Sequence, residues 1–257
     1  MRKIIYLLTL LPLLCACSHI ADDEQLIYVP AEAAKRTVLL EDFTGQRCVN
    51  CPLGTEVIEQ LQEEYGENIV AVGIYSGGFG KQPNGKLLPL TTETGCEYFD
   101  HYVSGYGQPI GMVNRHGAVN YTDWTAKVRE ELARESSVSI QLEAQLVAGQ
   151  ISIDIQTKAI NTPYSGNLQV WVLEDGITDT QYMPNGTINK EYVHNHVLRT
   201  PVNGTWGDPI SLDAGEQKTQ HLTQAISSNW NTQKLSIVAF VYNDSGVEQA
   251  SKVSITQ

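Results

Sequence analysis

The run Val38-Leu-Leu-Glu-Asp-Phe43 has the composition of a buried strand, and through Thr44 and Gly45 it leads into Cys48-Val-Asn-Cys51 at the head of a helical pattern. No other stretch constrains the fold as much. It orders strand, loop and helix in one short segment and sets a Cys-x-x-Cys pair where the helix begins. A helix N-terminus carries unpaired N–H groups and a partial positive charge, which favour a thiolate over a thiol. Asp42 stands six residues before Cys48. The segment points to thiol–disulfide chemistry, provided the compartment is oxidising.

Residues 1–17 speak to the compartment. Arg2 and Lys3 precede an apolar run, Ile4 to Leu14, that is too short to span a bilayer. The following Leu14-Cys15-Ala16-Cys17 resembles a bacterial lipobox, which predicts a signal peptide over residues 1–16 and a lipid on Cys17. Ser18 after Cys17, where Asp would hold a lipoprotein back, predicts transfer to the outer membrane. The acidic Asp22-Asp23-Glu24 fits a surface-export signal or a solvated tether, so the protein faces the periplasm or the cell surface.

Loss of residues 1–16 takes Arg2 and Lys3 from 17 basic residues set against 29 acidic ones, and the net charge of −12 becomes about −14. That balance excludes nucleic acid as a partner and electrostatic docking to anionic lipid. Of the five cysteines, Cys48, Cys51 and Cys96 then remain. One close pair and one odd cysteine suit redox chemistry better than a disulfide scaffold.

Residues 17–36 read as a lipidated tether. Over 37–136 strand and helix alternate. Strand Val38–Phe43 is followed by helix Cys51–Tyr65, with Leu53, Val57, Ile58 and Leu61 at helical spacing and Gly66 as its stop. Strand Ile69–Tyr75 comes next, then a Gly/Pro-rich loop from Ser76 to about Pro89 and a short helix through Tyr98 and Tyr102. A strand Gln108–Asn114 entered through Pro109, a hairpin over 115–120 and an amphipathic helix Tyr121–Ser136 complete this part. Over 137–257 the pattern is pure β. Val138–Leu146, Gln150–Ala159, Gly166–Glu174 and Leu235–Asn243 all alternate, which predicts an all-β sandwich, immunoglobulin-like in broad shape.

The order in 37–136 resembles the thioredoxin fold, and the fold class expected is an α/β thioredoxin-like domain followed by an all-β immunoglobulin-like sandwich domain. The resemblance implies roles. Cys48 is the attacking thiolate, with Arg47 adding positive charge, and Cys51 one turn deeper is the resolving thiol. Asp42 matches the buried carboxylate that relays a proton for the resolving cysteine, and Pro109 is the candidate cis-proline beside the pair. The chain departs from thioredoxins in Arg47 before the pair, Val49-Asn50 within it and Gln108 before Pro109. Pro52 also removes one N–H from the first helical turn.

Other readings of the same residues stay open. A stable Cys48–Cys51 disulfide on a binding scaffold is one. A zinc site is another, but it would need His194 and His196 to cross from the β half, and no metal or cofactor is expected. Cys96 reads as a half-buried small hydrophobe or a third redox thiol. The loop from Ser76 to Gly85 lies at the sheet edge of the cysteine pair and would shape a groove, but it lacks phosphate-loop spacing. Trp206, His194 and His196 read as packing or hydrogen-bonding elements.

Beyond the thioredoxin likeness, three blocks carry a family resemblance. They are Glu41–Pro52, Tyr106–Arg115, and Trp171-Val-Leu-Glu-Asp-Gly176 together with His194-Asn-His-Val-Leu-Arg199. With them the chain resembles the outer-membrane lipoproteins of the Bacteroides–Porphyromonas group, which are described as outer-membrane proteins and in some cases as adhesins or receptors. The resemblance implies a lipid-anchored protein of the outer membrane. Two function classes follow: a thiol–disulfide oxidoreductase acting on thiols or disulfides of exported proteins, or a surface adhesin that binds an extracellular ligand.

Overall fold

In Val38–Thr44 and Ile69–Tyr75 every position is buried rather than alternate ones, so these strands are covered on both faces. The computed structural model describes residues 34–256, so the expected signal peptide, the Cys17 lipid and nearly all of the tether lie outside the described residues. After a two-residue strand β1 (Ala34–Lys35), strand β2 (Val38–Thr44) leads to helix α1 (Cys51–Tyr65), and β3 (Ile69–Tyr75) returns parallel to β2. Helix α2 (Glu93–Tyr98) continues as a π-helical turn, Phe99–Val103. Strand β4 (Ile110–Val113) lies antiparallel to β2 and pairs with β5 (Ala118–Asn120), before helix α3 (Trp124–Leu132).

From β6 (Glu135–Ser136) onward strands dominate: β7 (Val138–Val147), β8 (Gln150–Ala159), β9 (Tyr164–Glu174), β10 (Ile177–Tyr182) and β11 (Ile188–His194). They continue as β12 (Val197–Pro201), β13 (Asp208–Leu212), β14 (Gln217–Ala225), β15 (Leu235–Asn243) and β16 (Gly246–Ser254). The expected boundary at 136/137 falls between β6 and β7.

The fold class is not the expected one. Instead of an α/β thioredoxin-like domain joined to an immunoglobulin-like sandwich, the body is mostly β, with one nine-stranded sheet that takes strands from both halves of the chain. Its order is β16-β15-β9-β12-β3-β2-β4-β5, with β13 pairing β9 as well. The seam is β12 against β3: Val197 stands opposite Gly73, whose N–H donates to the His196 carbonyl at 2.8 Å. Periodicity reports that β3 and β12 are strands, but not that the open edge of β3 is covered by a segment more than a hundred residues away. The described residues fall in one compact unit.

Alternation along each strand sorts side chains into layers. Leu39 and Phe43 of β2, Val70, Val72 and Ile74 of β3, Trp171 and Leu173 of β9, and Val238 and Phe240 of β15 share one core with Tyr98 and Val103. On the opposite face, Val38, Leu40, Ile69 and Ala71 pack against Ile58 and Leu61 of α1 and Trp124 and Val128 of α3. The three-stranded sheet β14-β8-β7 covers β9 and β15, with Ile151, Ile153 and Ile155 against Val170, Val172, Ile237 and Ala239.

A buried ion pair lies where the halves of the chain meet. Glu41 is fully buried, and Arg115, whose side chain is 4% exposed, reaches it at 3.0 Å. The guanidinium also lies over the rings of Tyr242 at 4.4 Å, Phe240 at 4.8 Å and Tyr102 at 4.9 Å. Aromatic faces and a carboxylate together replace the water that this charge gives up.

Candidate functional site

Cys48 and Cys51 are joined by a disulfide with their Cα atoms 5.4 Å apart. A tight loop brings them together: the Cys48 N–H donates to Gly45 O at 3.0 Å and the Leu53 N–H to Asn50 O at 3.0 Å. Position 45 accepts only glycine, since a Cβ there would stand 2.6 Å from the carbonyl carbon of Phe79. The Gly/Pro-rich loop after β3 therefore packs directly on the cysteine loop. It also engages Arg47, whose N–H donates to Phe79 O and whose Nη1 donates to Lys81 O at 2.9 Å.

The disulfide is covered. Cys48 is 1% exposed and Cys51 2%. The cover includes the β10–β11 hairpin, a two-stranded sheet of its own whose Gln181 is itself buried. The Gln181 amide donates to Cys48 O at 2.9 Å and Gly45 O at 3.4 Å. The Tyr182 N–H donates to Gln46 O at 2.9 Å, and the Gln46 amide returns a bond to Thr180 O at 3.1 Å. Backbone carbonyls of the cysteine loop are thus capped by side chains and N–H groups from a distant hairpin.

Asp42 lies on the α1 side of β2, in register with Val38 and Leu40, and is 3% exposed. Cys51, Thr55, Ile58 and Gln62 form one face of α1 by helical spacing. Three of these, Thr55, Ile58 and Gln62, line with Asp42 a cavity of about 190 Å³, closed on the far side by Tyr75, Tyr192 and His194. Burial pushes the Asp42 carboxyl up to about 8, and its Oδ1 has no hydrogen-bond partner among the described residues. Burial lowers His194 to about 4, so its ring is neutral at pH 7, and its Nδ1 lies 2.7 Å from Tyr75 Oη. Burial also raises the Tyr75 phenol well above its ordinary value, with the neighbouring Asp42 adding to the effect.

Pro109 is buried, its bond to Gln108 is cis, and its Cβ lies 3.4 Å from where a side-chain carbon on Gly54 of α1 would stand. The Gln108 amide donates to Thr44 O at 2.8 Å. Cys48, Cys51 and Pro109 therefore lie at the N-terminal end of α1, and Asp42 lies under the same helix along its Thr55–Gln62 face. Cys96 is half-buried, and burial raises its thiol pKa. Among the described residues no group of three or more His, Cys, Asp or Glu side chains is placed to hold a metal ion.

Sequence reasoning missed Gln46, Gln181, Tyr75 and Tyr192. No spacing signals them, because Gln181 is 133 residues from Cys48. His194, read as a packing or hydrogen-bonding residue, does both with Tyr75, on the wall of the Asp42 cavity.

Comparison with known proteins adds a family and a fold. The family model of the outer membrane protein Omp28 matches residues 97–257, a segment that starts after the cysteine loop and contains the hairpin. No curated protein matches. Among solved structures, HBP35 of Porphyromonas gingivalis gives a TM-score of 0.68 at 18% identity, covering 86% of this chain and 76% of that one. A protein from Agrobacterium tumefaciens gives 0.55 at 16% identity, covering 87% and 96%. A domain of the outer membrane lipoprotein Omp28 from Porphyromonas gingivalis gives 0.36 at 27% identity, covering 47% and 89%. The first likeness is one of fold, and it replaces the expected pair of separate folds with a single HBP35-like architecture.

Proposed function

This chain belongs to the Omp28 outer membrane protein family, and for a protein of the outer membrane we propose thiol–disulfide exchange between Cys48–Cys51 and the thiols or disulfides of exported proteins. The observation that carries the proposal is Asp42. A carboxyl enclosed beneath α1 with one oxygen unpartnered is unfavourable to keep, and it holds its proton to about pH 8. Such a group supplies what the resolving step needs.

A substrate thiolate attacks Sγ of Cys48, the Cys48–Cys51 bond breaks, and its electron pair leaves on Sγ of Cys51. That sulfur takes the Asp42 proton. A second substrate thiolate attacks the substrate sulfur of the mixed disulfide, so the substrate leaves oxidised and Cys48 leaves as a thiolate. In reverse, Cys48 reduces a substrate disulfide and the Asp42 carboxylate takes the proton from Cys51. In either direction the β10–β11 hairpin must move aside, because Cys48 is only 1% exposed. Lipidation at Cys17 would hold the protein to the membrane.

The same burial favours a second reading, a structural disulfide in a protein that binds an extracellular ligand through other surfaces. The reduction potential decides, measured by alkylation in defined glutathione or dithiothreitol buffers with Cys96 replaced by alanine. A value between about −120 and −270 mV is that of a working exchange centre, whereas one below about −300 mV marks a structural bridge and overturns the exchange proposal.

A further inference from the structure

Trp206 is 41% exposed, yet side chains of the core bond to the backbone at and just before it. Asn203 Oδ1 accepts the Val170 N–H at 2.9 Å, and its Nδ2 donates to Leu168 O at 2.8 Å. The Gln169 amide donates to Gly204 O at 2.9 Å, Tyr98 Oη donates to Thr205 O, and Tyr242 Oη donates to Trp206 O at 2.7 Å. Gly207 sits at φ 71°, with no room for a side chain, since a Cβ would stand 2.3 Å from Leu168 O. The indole is fixed as well, with His101 at 4.8 Å and Tyr98 edge-on at 5.4 Å. Core side chains thus spend their polar groups on a turn that presents an aromatic ring to solvent.

That ring opens on a cleft of about 320 Å³, lined by Trp206, His101 and Tyr102 and by Asn167, Asn243 and Asp244, with Arg115 also in its wall. A second cleft of about 450 Å³ shares Asn167, Asn243 and Asp244 and adds Ser165 and Ser245. Pockets for small ligands run from about 300 to 1,000 Å³ and combine aromatic walls with a few polar groups. Neither cleft shares a lining residue with the Asp42 cavity.

We propose that these joined clefts bind a neutral oligosaccharide, with one pyranose ring lying on the Trp206 indole. A pyranose has an apolar C–H face that fits an aromatic plane, and an edge of hydroxyls that pair with amide and carboxylate groups. The aromatic residues supply the first surface, and Asn167, Asn243 and Asp244 supply the second. The polar lining disfavours a lipid chain or an apolar helix, which would leave those groups unpaired. Charge disfavours an acidic glycan. Asp244 stands at the rim, and the chain carries a net −12. Arg115 also lines the cleft, but its charge is paired with Glu41 through Nε and Nη2, and its Nη1, without a partner among the described residues, is a donor to a sugar hydroxyl. The second cleft has room for a further sugar ring. This site stands independently of the exchange proposal.

The test titrates the intact protein with laminarihexaose, cellohexaose and mannohexaose, read by calorimetry and tryptophan fluorescence. Saturable binding of one of them is expected, weakened at least tenfold in Trp206→Ala and at least threefold in Asp244→Ala. Asp244 is exposed, so its variant keeps the test open should Trp206→Ala not fold. No saturable binding at up to about 10 mM, where even a millimolar site is filled, overturns the proposal. So does binding that is unchanged in the folded variants.

Discussion

Asp42 is the residue on which the candidate chemistry turns. An exposed aspartate ionises near 3.8, whereas folding holds this one to about 8. Between those values the folded protein binds a proton that the unfolded chain lacks, so stability falls as pH rises, by at most about 1.4 kcal/mol per pH unit. His194 acts in the opposite sense, because its folded value of about 4 lies below its ordinary 6.5. Its contribution grows as pH rises to 6.5 and is constant above. From pH 6.5 to 8 the Asp42 effect therefore stands alone of the two. In urea titrations across that range, Asp42→Asn should gain on the wild type as pH rises, by roughly 1–2 kcal/mol in total. Parallel curves for the two proteins would mean that Asp42 titrates as an ordinary aspartate. The spacing of Asp42 from Cys48 was legible in the sequence. Its enclosure was not, because Tyr75 and His194 come from other strands.

The β10–β11 hairpin is the element that governs access. Its strands, Ile177-Thr-Asp-Thr-Gln-Tyr182 and Ile188-Asn-Lys-Glu-Tyr-Val-His194, show no apolar alternation, and a hairpin outside the main sheet gives no local sign of what it covers. Gln181 joins it to the cysteine loop through the carbonyls of Cys48 and Gly45. Each such bond contributes about 0.5–1.5 kcal/mol. Loss of both in Gln181→Ala should make opening roughly tenfold easier, since 1.4 kcal/mol is a factor of ten. After mild reduction, alkylation of Cys48 should then run about tenfold faster than in the wild type, with Cys96 replaced by alanine in both proteins. An unchanged rate would show that the hairpin does not control the thiol.

At the scale of the whole molecule, one sheet and one shared core join the two halves of the chain. Leu39, Tyr98, Trp171 and Phe240 come from both sides of residue 137 and lie in a single cluster. The described body should therefore unfold in one cooperative step, with tryptophan fluorescence and far-ultraviolet dichroism coincident. Two separated transitions would mean independent halves. The Glu41–Arg115 pair sits in this junction, and removal of one partner strands the other charge in the core. Glu41→Ala should lower stability by about 3–5 kcal/mol, as measured by urea unfolding, whereas an effect under about 1 kcal/mol would place the pair in a wetter setting.

By itself the sequence determined the local elements: the strand before the cysteine pair, the helix after it, the long β-rich half, and the outer membrane as the place of the protein. Those features live in short-range patterns, in periodicity, turn residues and motif spacing, and local sterics and burial write them into the chain. Tertiary structure alone decided that β12 closes the edge of β3 and merges two expected folds into one sheet. It alone decided that Gln181 caps the cysteine loop and that five aromatic rings surround Arg115. Such pairings depend on which distant surfaces bury one another best, and no single segment carries that information.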